Sequence, residues 1–139
     1  MEGPSRSSKT LSDPGPFRRG AAELFARAEK ARDHGDVEDA ARLFGRAAGT
    51  WRTTGDVLEA ADAYIELGAI LLRQGRGVIL PNLAARLLVL LEVKPLPQGA
   101  YLNLKVYAAL ITKGADDREA LLGLVQERRL VRQRLVQAG

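Results

Sequence analysis

His34 is the only histidine of the chain, so any imidazole chemistry would fall to it. A lone imidazole without cysteine or a facing carboxylate cluster makes no metal site. At a helix end a weakly basic ring also sits where the helix dipole favours it. Asp33, Asp36, Glu38 and Asp39 gather acid into a short stretch, but not with calcium-loop spacing. Helix caps and first-turn acids account for them. Gly75-Arg76-Gly77 shares two glycines and a cation with phosphate loops, yet lacks the Lys-Ser/Thr ending and the preceding strand that such loops need. Arg128, Arg129, Arg132 and Arg134 form a candidate basic patch within about two turns of one helix. Arg128 and Arg132 share a face at i,i+4, as do Arg129 and Arg132 at i,i+3. Such a patch suits an acidic protein or nucleic-acid phosphates. Glu119 and Glu127 lie near it and no aromatic residue interleaves as a stacking platform, so a solvated helix end is the first reading, ahead of an acidic protein and then of nucleic acid. These residues compose no catalytic group, and neither a metal nor a cofactor is called for. The expectation is a protein that is not an enzyme.

The elements that would position these residues are punctuated by a repeated phrase. Gly35-Asp36-Val37-Glu38-Asp39-Ala40-Ala41 returns 20 residues later as Gly55-Asp56-Val57-Leu58-Glu59-Ala60-Ala61, and Gly75 stands a further 20 on. Phe44 and Tyr64 keep the same register. Glycine ends a helix in the left-handed conformation, and the aspartate after it is placed to cap the next helix by accepting its free amides. A joint that short forces antiparallel neighbours.

Six helices are predicted. The first runs from about Phe17 to His34, with Ala21, Leu24, Phe25, Ala28 and Ala31 on one stripe. The second, about Val37 to Thr53, carries Ala40, Ala41, Phe44, Ala47, Ala48 and Trp51 at helical spacing. The third, about Val57 to Gln74, repeats that stripe with Ala60, Ala61, Tyr64, Leu67, Gly68 and Leu71. The fourth, to about Val93, starts somewhere from Val78 to Pro81, because Pro81 disfavours a helical Leu80. It is apolar on nearly every side and is expected to be the most buried element. Lys94-Pro95-Leu96-Pro97 breaks the chain before a fifth helix, about Ala100 to Thr112. A sixth runs from Asp116 or Asp117 to about Gln137.

Composition agrees with this reading. The 139 residues suffice for one domain with a single core, and few aromatics beside many Ala and Leu favour helix over strand. Residues 1–16 read as a disordered leader and 17–139 as one helical-repeat domain. The net charge is +4; residues 21–112 carry eleven basic and eleven acidic side chains, so the surplus lies at the two ends. With no cysteine, disulfides are excluded. No stretch reads as a membrane span, and a cytoplasmic location is the default expectation.

The Gly35-to-Ala47 and Gly55-to-Gly68 segments resemble tetratricopeptide-type repeats. Gly35, Asp36, Val37, Ala40, Phe44 and Ala47 match that family's second-helix signature. Gly55, Asp56, Val57, Ala60 and Tyr64 match it again, with Leu67 in the last small position. Two passes here take 40 residues, against the usual period of about 34, and every helix carries the same signature. In this the chain looks more like the long-helix repeats of soluble vesicle-fusion attachment proteins. The resemblance implies an all-α stack of about six antiparallel helices, in three hairpins. It also implies a protein-binding adaptor or scaffold that takes a partner helix or extended peptide in a concave groove. Arg27, Arg42, Arg46, Arg52 and Arg73, off the apolar stripes, are the polar candidates for that groove. Trp51 and Tyr64 are aromatic candidates for it, with interhelical packing as their other role. Two further readings stay open: nucleic-acid association through the basic termini, and a self-associating assembly subunit.

Overall fold

Gly35, Gly55 and Gly75 take φ of +86°, +81° and +74°, and each closes a helix with the same two backbone bonds. The Gly35 N–H donates to the Arg32 carbonyl at 3.1 Å and the Asp36 N–H to that of Ala31 at 2.8 Å. Gly55 and Asp56 donate likewise to Arg52 and Trp51, and Gly75 and Arg76 to Leu72 and Leu71. This is the Schellman arrangement, which satisfies carbonyls that a helix end leaves unpaired.

Left-handed backbone costs a residue with a Cβ about 1–2 kcal/mol. Gly55→Ala is therefore expected to lower stability by about that much. Gly49 lies inside a helix with nothing within 4 Å of the position of a Cβ. Gly49→Ala is expected to raise stability by about 0.5–1 kcal/mol. Urea denaturation of the two variants reads the opposite signs.

A computed structural model of the chain describes residues 15–90, 108, 109, 111 and 118–138. Among these every regular element is helical: α1 (Gly15–Asp33), α2 (Val37–Thr54), α3 (Val57–Arg73), a 3-10 turn (Gly77–Ile79), α4 (Leu80–Leu90) and α5 (Arg118–Ala138). The fold class is all-α. Five α-helices are described, against about six expected. The helix predicted over about 100–112 lies outside the described residues except at 108, 109 and 111, which are helical. The leader call also lies outside them, apart from Gly15 and Pro16, which begin α1. Among the described residues no helix is long and apolar enough to cross a membrane.

Three local expectations are revised. Asp36 and Asp56 do not cap with their side chains. Their ψ values of 68° and 78° depart from the extended backbone that aims an N-cap carboxylate at the first turn. The Asp56 carboxylate instead accepts from Arg18 Nε at 2.7 Å and Thr54 Oγ1 at 2.6 Å, tying the α2–α3 joint to α1. Leu80 is helical, with φ −56° and ψ −40°, despite preceding Pro81; the turn at Gly77–Ile79 delivers the chain into that conformation. Finally, α3 rather than α4 is the most buried helix described, with 12 of its 17 residues buried. Leu88 and Val89 of α4 stay 43% and 55% exposed.

The reason is the position of α3. It packs against α2, α4 and α5, while α1 packs mainly on α2. Paired alanines bring the first three helices close: Ala28, Ala40, Ala47, Ala48, Ala60 and Ala61 are fully buried. Aromatic rings fill the remaining space. Phe25 meets Phe44 edge-on, with centroids 5.1 Å apart, and Trp51 at 5.6 Å. Trp51 and Tyr64 are 8% and 2% exposed, so both serve the interior and neither lines a groove.

Candidate functional site

α3 is the most apolar segment among the first three helices, yet Asp62 and Glu66 point inward from it, 6% and 1% exposed. Buried carboxylates without partners would be costly; here the partners come from two other helices. Arg128 of α5 holds Asp62 by two hydrogen bonds, at 2.7 and 3.1 Å. Arg129 holds Glu66 by two, both 2.8 Å. Arg132 adds a second cation and a third bond to Glu66 at 2.9 Å, and Arg32 at the end of α1 adds a third cation and a fourth bond at 3.1 Å. Arg132 also lies over the Phe25 ring, 5.0 Å from its centroid, and reaches Glu29 at 4.0 Å.

The cluster is electrically balanced. Arg32, Arg128, Arg129 and Arg132 meet Glu29, Asp33, Asp62 and Glu66. Burial pushes the Glu66 carboxyl up, but the Arg129 hydrogen bond and the charges of Arg129, Arg32 and Arg132 outweigh it and hold the group below its ordinary 4.5. Glu29 goes the other way: burial raises it further than Arg132 and Arg32 lower it. The Glu66 hydrogen bond raises Arg129 above its ordinary value. These groups fasten α5 across α1 and α3, beside the apolar contacts of Leu121, Leu124 and Val125.

Thus three members of the candidate basic patch face inward onto carboxylates of the same chain, and Arg134 is the one of the four that is exposed. The sequence carried a signal for this that charge counting missed. Asp62 and Glu66 stand four apart in an otherwise apolar stripe, and Arg128 and Arg132 stand four apart on the helix that must cover it. Matched i,i+4 pairs of opposite sign on two amphipathic helices belong together.

The candidate groove arginines are dispersed. Arg27 and Arg46 line a shallow hollow of ≈ 310 Å³ between α1 and α2, beside Phe17 and Leu24. Arg52 and Arg73 are exposed outside it. Arg42 pairs with Asp39 and lines a different groove, of ≈ 400 Å³, where α2, α3 and α4 meet. Half-buried Ala41, Leu67 and Ile79 form its accessible floor, above buried Leu71 and Leu83. Arg76 and Arg86 join Arg42 on its rim. Neither was a candidate from sequence, although Gly75-Arg76-Gly77 had drawn attention for its phosphate-loop flavour.

His34 donates its Nδ1–H to the Lys30 carbonyl at 2.7 Å, closing the end of α1. Asp33 and Asp39 pair with Arg32 and Arg42, and among the described residues no three metal-ligating side chains converge. Comparison with known proteins finds no match to a family model, to a curated protein or to a solved structure.

Proposed function

We propose that the chain is a non-enzymatic protein-interaction module, a tetratricopeptide-like adaptor or scaffold that receives a helix or extended segment of another protein. The observation that carries this reading is the groove between α2, α3 and α4. It combines an apolar floor with a polar, cationic rim, the composition of a recognition surface: apolar anchors supply affinity and charges supply orientation. The three identical joints at 20-residue spacing support a repeat-built module. The face shared by α1 and α3 is covered by α5 of the same chain. The reading therefore moves to the α2–α4 side.

Nucleic-acid association draws less support, because Arg128, Arg129 and Arg132 are engaged by Asp62 and Glu66. The experiment is site-specific photocrosslinking in the producing cell. A photoreactive residue at position 82, on the groove wall, is expected to give discrete heavier protein adducts. The same residue at position 52, outside the groove, is expected to give none. Equal products at both positions, or none at 82, would count against the reading.

A further inference from the structure

The groove between α2, α3 and α4 has a consistent electrostatic sign. Arg42, Arg76 and Arg86 stand on its rim against one carboxylate, Glu38. Arg42 is answered by Asp39; Arg76 and Arg86 have no carboxylate within salt-bridge distance among the described residues. The backbone adds to this. Glu38, Ala41 and Arg42 belong to the first turns of α2, and Asn82 to the first turn of α4, which Ile79 of the 3-10 turn immediately precedes, so two helix N-termini, each a partial positive charge, open on the groove. The α3 end that also reaches it has its last carbonyls closed by the Gly75 and Arg76 amides, which mutes the opposing pole. Val89 lies one turn beyond Arg86 on the same face of α4, at i+3, and is 55% exposed. It extends the apolar track past the rim.

From this we propose that the occupant of the groove is an acidic amphipathic segment of a partner protein. Two or three of its apolar side chains rest on Leu67, Ile79 and Val89, and its flanking carboxylates meet Arg76 and Arg86. The proposal rests on the interaction-module reading and names its partner's chemistry. A planar guanidinium pairs with a carboxylate through two parallel hydrogen bonds, so acid on the partner supplies orientation as well as attraction. Nucleic-acid phosphates would meet the same cations. However, the groove's lining contains aliphatic floor residues and no ring for a base to stack on, which favours peptide side chains.

The test is selection of a displayed library of random 15-residue peptides on the full chain. Groove binders are identified by loss on Asn82→Trp, which puts an indole into the groove from an exposed position without changing charge. Groove-dependent peptides are expected to be enriched in Asp and Glu between apolar residues at i,i+3/i+4 spacing. Their affinity, measured by anisotropy, is expected to fall about tenfold or more on Arg76→Gln with Arg86→Gln, and to be unchanged on Arg46→Gln. Circular dichroism of each variant confirms that the helices are retained.

Groove-dependent peptides with no acidic enrichment, or indifferent to Arg76 and Arg86, would overturn the proposal and leave the interaction-module reading standing. If no peptide distinguishes the chain from Asn82→Trp, the groove reading falls with it. A random single-stranded oligonucleotide that binds with the same dependence on Asn82, Arg76 and Arg86 would overturn it in favour of nucleic acid. Self-association abolished by Asn82→Trp would overturn it in favour of a second copy of the chain.

Discussion

Glu66→Gln is expected to destabilise the fold by about 3–5 kcal/mol at neutral pH, the range for removing one partner from a buried ion pair. Against a total of about 5–15 kcal/mol for a domain of this kind, that is a large share. Glu66 is 1% exposed and accepts from Arg32, Arg129 and Arg132. Glutamine keeps one acceptor oxygen, removes the charge, and turns an amide donor toward guanidinium groups that cannot accept. Asp62 is shared between Arg128 and Arg132, the latter at 3.7 Å, so it offsets the cations left behind only in part, and Arg129 loses the carboxylate that holds it by two hydrogen bonds.

The loss has a pH signature. The folded Glu66 carboxyl lies below its ordinary 4.5, so the folded state binds this proton less readily than the unfolded chain. The stabilisation is complete above about 4.5 and disappears as pH falls through the depressed folded value. Urea denaturation across acid pH should therefore show the wild type converging on Glu66→Gln. Glu29 has the opposite sign. Its folded carboxyl is raised by burial, so the folded state binds that proton more readily, and acidification toward 4.5 relieves a penalty. A gap between wild type and Glu66→Gln that persists undiminished at low pH would show that lost shape, rather than lost charge, is the cause.

Phe44→Ala is expected to cost about 3–5 kcal/mol, the range for truncating a buried aromatic, with little dependence on pH. Phe44 is fully buried and edge-on to Phe25. Fully buried Ala40, Ala47 and Ala48 surround the gap on its own helix, and alanines have no side chain to swing into a cavity. The α1 side would be disturbed too, because Phe25 carries both Trp51 and the Arg132 guanidinium. Equilibrium unfolding of Phe44→Ala beside Glu66→Gln, at neutral and acid pH, separates the two mechanisms. A Phe44→Ala cost below about 1 kcal/mol would mean that the helices close over the gap.

Local punctuation was legible at single residues. Gly35 and Gly55 were read as helix ends because glycine reaches positive φ without steric cost, and the short joints leave the following helix little choice but to fold back. The alanine and aromatic stripes of α1, α2 and α3 were legible for the same kind of reason: 3.6-residue periodicity is a local property. The side-chain capping expected of Asp56 was not met, because Arg18, 38 positions away, competes for its carboxylate. The burial order of the helices was misjudged because apolarity along α4 does not reveal how many neighbours a helix has. α3 is more buried since it is packed from three sides.

What the sequence determined by itself was the all-α class, the positions of the early joints, the inward stripes of the first three helices and the balanced charge of the middle of the chain. Each depends on spacings of a few residues. What only the tertiary structure decided was where charge faces. Arg128 meets Asp62 across 66 positions and Arg129 meets Glu66 across 63, so a patch that reads as surface is an internal clamp. Arg42 of α2, Arg86 of α4 and Arg76 from the loop after α3 come to one rim instead. Coulomb attraction and desolvation depend on distance and burial, not on order along the chain. The arginines that hold the fold together and those that stay at the surface are therefore told apart only once α5 has settled across α1 and α3.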